Sequence, residues 1–163
     1  MNAIELVQLQ WQQNRERSLA TLDEIAQMPS PEQVLAWRPG EGRAHIAWQL
    51  MHIGVTEELF ATERLAGTSP SYPDLVPRFR GGSTPDDQIP SVDLIRDVLE
   101  NSREHLNNTI STFVEADLPE IPQHFAERGW TFEKTLHIIA WHEPHHQGQA
   151  HLTFNLWKAL QSQ

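Results

Sequence analysis

The sequence contains no cysteine, and that absence removes several chemistries at once. No disulfide can brace the fold, and no protein thiolate can serve as nucleophile or metal ligand. It also fits a reducing cytoplasm, where the protein is expected. Long apolar runs are missing too: none approaches the ~20 residues needed to cross a bilayer. Residues 1–17 read as a polar amphipathic helix, without the basic start and continuous apolar stretch of a signal peptide. Basic residues are scarce. Twelve Lys and Arg stand against 22 Asp and Glu, a formal net charge of −10, so the molecular field repels nucleic acid and anionic membranes. No basic patch with interleaved aromatics offsets that field. Neither nucleic acid nor membrane is an expected partner.

What is present suits one globular domain over residues 1–163, with 39% hydrophobic residues and six tryptophans. Strand-like alternation and internal repeats are both lacking. Ile4, Leu6, Val7, Leu9, Trp11, Leu19, Leu22, Ile25 and Ala26 recur at helical spacing and predict a helix from about Asn2 to Met28, stopped by Pro29 and Pro31. A short helical turn fits Gln33–Leu35, before a loop at Trp37–Gly40. A second long helix fits Ala44–Ala66, ended by Gly67. Residues 67–90, rich in Ser, Pro and Gly, form the one long connection. Ser91 is an expected N-cap for a third helix reaching about Val114, and Thr131 for a last one reaching about Leu160. Four long helices with one long crossover predict an all-α, four-helix bundle.

Nine histidines are the compositional oddity, and four of them lie within His142–His151. His142 and His146 are four residues apart, so they project from one face of the last helix, one turn apart. That spacing lets two imidazoles converge on one tetrahedral or octahedral ion. His52 falls in the stripe Trp48, His52, Val55, Leu59, which faces the core; a buried ring nitrogen there needs a partner. A metal shared with a facing helix would supply one. Each signal also has a plainer reading: an inward histidine satisfied by the core, and a pair on a solvated face. His45, seven residues before His52, reads as a helix-start surface residue, a lining of the pocket mouth or an alternate ligand.

His142-Glu143-Pro144-His145-His146 also fits the bare H-E-x-x-H pattern of zinc proteases. Pro144 inside the metal helix argues against that reading. So does the extended pattern, for which Gly148 and His151 each fall one residue early. Residues 147–163, where a distant glutamate ligand would have to lie, contain no acidic residue.

Two segments give the chain a family likeness. Leu35-Ala36-Trp37-Arg38-Pro39-Gly40, continuing through His45 to His52, is similar to a Trp-x-Pro loop followed by a helix bearing a metal histidine. Gly129-Trp130-Thr131-Phe132, continuing to His142-Glu143-Pro144-His145-His146-Gln147-Gly148-Gln149, is similar to a final-helix signature with two histidines four apart and a Gly-Gln pair. Together they resemble the DinB/YfiT-like family of metalloenzymes. The resemblance implies an up-down-down-up four-helix bundle, often a homodimer, with His52, His142 and His146 holding one divalent transition metal, zinc or nickel. It implies a close helix approach at Gly148 and places Gln149 toward the same pocket. Pro144 departs from the usual residue there. Some relatives are S-transferases that use a low-molecular-weight thiol.

A three-histidine ion with open positions is catalytic chemistry, because structural zinc usually takes four protein ligands. An open position acidifies bound water or holds an incoming thiol as thiolate. With no cysteine in the chain, that thiol would be an external cosubstrate. Metal affinity should fall as acid protonates the rings. Glu58 and Glu143 are candidates to orient the rings, with His145 and Gln149 as further neighbours of the site. His137 and His151 point elsewhere; Trp37, Trp130 and Trp141 read as core or interface aromatics. Three functions follow: a metal-dependent small-molecule enzyme (thiol S-transferase or hydrolase), a non-enzymatic metal-binding stress or damage-response dimer, or a helical interaction module with incidental histidines.

Overall fold

The computed structural model describes residues 1–162 and is all-helical, with no strand among them. Its elements are α1 (Ala3–Ala26), α2 (Pro31–Ala36), α3 (Ile46–Leu59), α4 (Val76–Phe79), α5 (Val92–Ile110) and α6 (Phe132–Gln161). A single π-helical turn, Phe60–Arg64, extends α3. Short 3₁₀ turns at Glu115–Asp117 and Gln123–Arg128 fill the connection to α6.

Caps set the boundaries. Asn2 and Glu5 form a reciprocal capping box at α1. Ser91 accepts from Leu94 N at 3.2 Å and Thr131 from Lys134 N at 3.1 Å, as their positions in the sequence predict. α5 stops short of Val114 because Ser111 and Thr112 turn back on the carbonyls of Asn108 and Thr109, at 2.7 Å each. The expected second helix begins later than Ala44, since His45 is its N-cap. The His45 ring accepts from Trp48 N at 3.0 Å, and its other nitrogen reaches the Asp86 carbonyl at 2.9 Å. His45 is thus buried, and the surface position expected for it is not observed.

Every residue of α3 is buried. A helix apolar around most of its circumference belongs in the interior, and α3 packs along both α5 and α6, while α1 packs against α6 and α5. The approach to α5 is tightest at Gly54. A Cβ there would lie 2.8 Å from Val98 Cγ1 and 3.3 Å from the Val98 backbone. Gly148, by contrast, has nothing within 4 Å of a Cβ, so the close approach expected there is made by Gly54 instead.

Two apolar clusters fill the interior. One gathers Leu22, Leu35, Leu50, Ile53, Val98, Leu99 and Phe154; the other gathers Ile4, Trp11, Phe60, Leu106, Phe125, Phe132 and Ile139. Along their helices the charged residues Arg15, Arg103 and Glu143 fall between the two clusters, Glu57 lies near the end of α3 that adjoins the second, and all four are buried. Arg15 bonds Glu143 at 2.8 Å and Glu57 at 2.7 Å; Arg103 bonds each glutamate at 2.5 Å. Burial pushes the Glu57 carboxyl up, but the two guanidinium groups overcome it and hold its pKa below the usual value. Buried charges persist only when paired in this way.

Pro144 lies inside α6 without ending it. Its missing N–H frees the Ala140 carbonyl, four residues back, and Asn14 of α1 donates to that oxygen at 3.3 Å. The helix therefore carries His142 and His146 on one continuous scaffold.

Candidate metal centre

α3 and α6 bring His52, His142 and His146 together, with one ring nitrogen of each lying within 4.8 Å of the others. The two closest are His52 Nε2 and His142 Nε2, 3.1 Å apart. Two nitrogens each about 2.0–2.1 Å from a shared ion, at octahedral or tetrahedral angles, would stand about 2.8–3.4 Å apart. The observed separation fits that requirement.

Hydrogen bonds fix the tautomers. His52 Nδ1 lies 2.7 Å from the Phe79 carbonyl. A carbonyl only accepts, so the proton is on Nδ1 and the Nε2 lone pair is free. His146 Nδ1 lies 2.6 Å from Gln49 Oε1. Gln49 Nε2 in turn donates to Gln149 Oε1 at 3.1 Å, and Gln149 Nε2 reaches His145 Nε2 at 2.8 Å. This chain of donors and acceptors also leaves His146 Nε2 with its lone pair free. Trp48 stacks on His52 with ring centroids 4.6 Å apart and planes at 12°, holding the ring from one side. His142 Nδ1 is buried with no partner among the described residues, so its ring is positioned by α6 and by contact with His52 and His146.

Burial keeps all three rings neutral. It lowers the His52 pKa, and it pushes His142 down to about 2 and His146 to about 3, with the nearby His52 ring adding to both shifts. Neutral imidazole is the form that ligates a metal. Three such donors, two with the opposite nitrogen anchored to an acceptor, fit a divalent transition ion.

The residues expected to orient the rings are placed differently. Glu143 points to the other side of α6, into the Arg15–Arg103 network, and takes a further hydrogen bond from Ser18 at 2.7 Å. One position along a helix is a turn of about 100°, which carries Glu143 away from His142 and leaves it no role as base beside a metal. Glu58 accepts from Ser71 N at 2.6 Å and lies 3.0 Å from His105 Nδ1, bonding none of the three rings. His145 is exposed and stacks on Trp141 at 4.5 Å, and Trp141 is itself 60% exposed rather than in the core. His145 meets the site edge-on against the His146 ring, with centroids 4.9 Å apart, and Gln149 reaches it through Gln49. His137 and His151 are both exposed and away from it.

Sequence reasoning missed Gln49 and the Phe79 carbonyl. Gln49 precedes His52 by three residues on the same helix face, so its position was available from spacing. Phe79 contributes backbone, which leaves no signature of residue type. The segment bearing it, 67–90, contains the turn α4 and is tied down: Arg78 bonds Asp86 at 2.8 and 3.0 Å, and Trp48 Nε1 donates to the Arg78 carbonyl at 3.2 Å.

A cavity of about 570 Å³ opens beside the rings, lined by His52, His142 and His146 together with Thr56, Phe60, Arg64 and others. The chain belongs to the DinB superfamily, whose family model matches residues 10–150. That match takes in α3, the crossover and His142 and His146 of α6. Among curated proteins, none matches the chain. No helix is long and apolar enough to cross a membrane among the described residues.

Proposed function

We propose that this protein is a divalent-metal-dependent enzyme acting on a small molecule, either an S-transferase with a low-molecular-weight thiol cosubstrate or a hydrolase. The observation that carries the reading is the convergence of three neutral imidazoles from two helices on one wall of a cavity large enough for a metabolite. His52, His142 and His146 would hold the ion, with Gln49 and the Phe79 carbonyl orienting two of them. A bound divalent ion would supply Lewis acidity to a thiol or water. The protein's part is to hold the ligands neutral, fix their tautomers and shape the cavity. A thiol would have to come from outside, because the chain has no cysteine.

The finer reading is an up-down-down-up four-helix bundle working in the cytoplasm as a homodimer, with zinc or nickel as the ion. The exposed stripe Leu152, Leu156 and Leu160 on α6 supports self-association.

Elemental analysis of untagged protein, beside His52→Ala, His142→Ala and His146→Ala, is the first test. The expected result is near one metal per chain, lost in each variant. Turnover of an electrophile only when a small thiol is added would select the transferase. Metal without thiol or hydrolytic turnover would select the stress-protein alternative. Wild-type protein that takes up neither zinc nor nickel would overturn the proposal.

A further inference from the structure

We infer that the cavity beside the three histidines binds a small anionic molecule, one carrying a phosphate or a pair of carboxylates, through Arg64, Arg80 and Arg128. This deepens the enzymatic reading of the same site by naming the class of its substrate.

The distribution of charge carries the inference. The chain has only 12 Lys and Arg against 22 Asp and Glu. Arg15, Arg38, Arg78, Arg96, Arg103 and Lys158 are all engaged in ion pairs. Of the six remaining cations, three line this one cavity: Arg64, Arg80 and Arg128. None of the three has a salt bridge among the described residues, and Glu63 is the only carboxylate lining the cavity. In a protein of net charge −10, an unneutralised cluster of this kind is an anion site by its electrostatics.

Geometry makes the cluster usable. The π-helical turn Phe60–Arg64 departs from the register of α3 and contributes Phe60, Glu63 and Arg64 to the lining; π turns recur at functional sites. The Arg64 guanidinium lies over the Phe60 ring at 4.3 Å, and that of Arg128 over Trp130 at 5.1 Å. A guanidinium lying on a ring keeps its N–H donors at its edge, where they match the paired oxygens of a carboxylate or phosphate. Burial lowers the Arg64 pKa, and Arg80 and Arg128 lower it further against the opposing pull of Glu63. Arg80 and Arg128 thus both repel Arg64 around the cavity they line together, and a bound anion relieves both that repulsion and the desolvation. Arg64 shares the cavity lining with His52, His142 and His146, which puts the anion beside the three rings.

Calorimetric titration of inorganic phosphate and of malonate, in a low-chloride zwitterionic buffer, tests this on metal-free and nickel-loaded protein. Saturable one-site binding is expected. It should weaken about fivefold or more in each of R64Q, R80Q and R128Q. The unpaired cations outside the cavity supply the controls: R43Q and K134Q should bind like wild type. Arg80 and Arg128 are exposed, so their variants keep the test decisive if R64Q fails to fold. Preference for phosphate or for malonate identifies the ligand's acid group. Absence of saturable binding, or equal weakening in R43Q and K134Q, would overturn the inference. Metal content of the arginine variants, measured in parallel, should equal wild type. A wild type that takes up no metal defeats the enzymatic reading alone, because the metal-free titration still decides the anion site.

Discussion

Asn14 of α1 donates its side-chain amide to the Ala140 carbonyl of α6 at 3.3 Å, the oxygen that Pro144 leaves without its helical partner. The two residues are one device: the proline opens a gap in the ladder of the helix that carries His142 and His146, and a neighbouring helix closes it. Asn14→Ala should destabilise the protein by about 1 kcal/mol, the net worth of a hydrogen bond whose acceptor is then stranded. In a Pro144→Ala background, which restores the backbone donor, the same change should cost much less. Urea denaturation of the four proteins of this cycle measures the coupling; equal costs in both backgrounds would show that Asn14 does not serve the proline.

Gln49 accepts from His146 Nδ1 and so selects the tautomer that frees Nε2. Gln49→Leu keeps the bulk and removes the acceptor. Metal affinity should fall about 10–100-fold, as for other residues that orient a ligating histidine, while helicity by circular dichroism stays at the wild-type level. Competition with a chelating dye gives the affinity, and unchanged binding would remove Gln49 from the site.

Arg103 holds both Glu57 and Glu143 and donates to the Trp11 carbonyl at 2.5 Å. Arg103→Met leaves two buried carboxylates sharing Arg15. A loss of about 3–5 kcal/mol is expected, the usual cost of removing one partner from a buried ionic group. Chemical denaturation reads it directly. A loss below about 1 kcal/mol would mean that water or Arg15 compensates.

Acid should act through folding before it acts on the folded site. His142 and His146 have pKa values pushed down to about 2 and about 3, against an ordinary 6.5. Between pH 6.5 and those values the unfolded chain binds protons that the folded chain does not, so stability falls as pH falls through that window. The folded rings stay neutral there. Metal release on acidification should therefore coincide with loss of helical signal. The loss of affinity expected as acid protonates the rings is moved by burial to the lower pH at which the chain unfolds. Release a full pH unit above unfolding would contradict this account.

Helical periodicity, proline stops and the caps at Ser91 and Thr131 made the all-α class and most helix positions readable, because those signals are local. The pair His142 and His146 was legible for the same reason, being one turn apart on one helix. His52 was legible as an inward residue, and only the packing of α3 on α6 decided that its Nε2 meets His142. Tertiary structure also decided which neighbours orient the rings. Glu143 is adjacent to His142 in sequence, yet the helical turn sends it to Arg15 and Arg103; Gln49 and the Phe79 carbonyl take that role from α3 and the crossover. The gathering of Arg64, Arg80 and Arg128 has no sequence signature, because the three lie on separate segments joined only by the fold. The sequence by itself determined the helices and the histidine pair, since backbone periodicity is written residue by residue. The approach of His52 to the pair, the ring tautomers and the cationic wall arise from distances between residues far apart in the chain, which only packing sets.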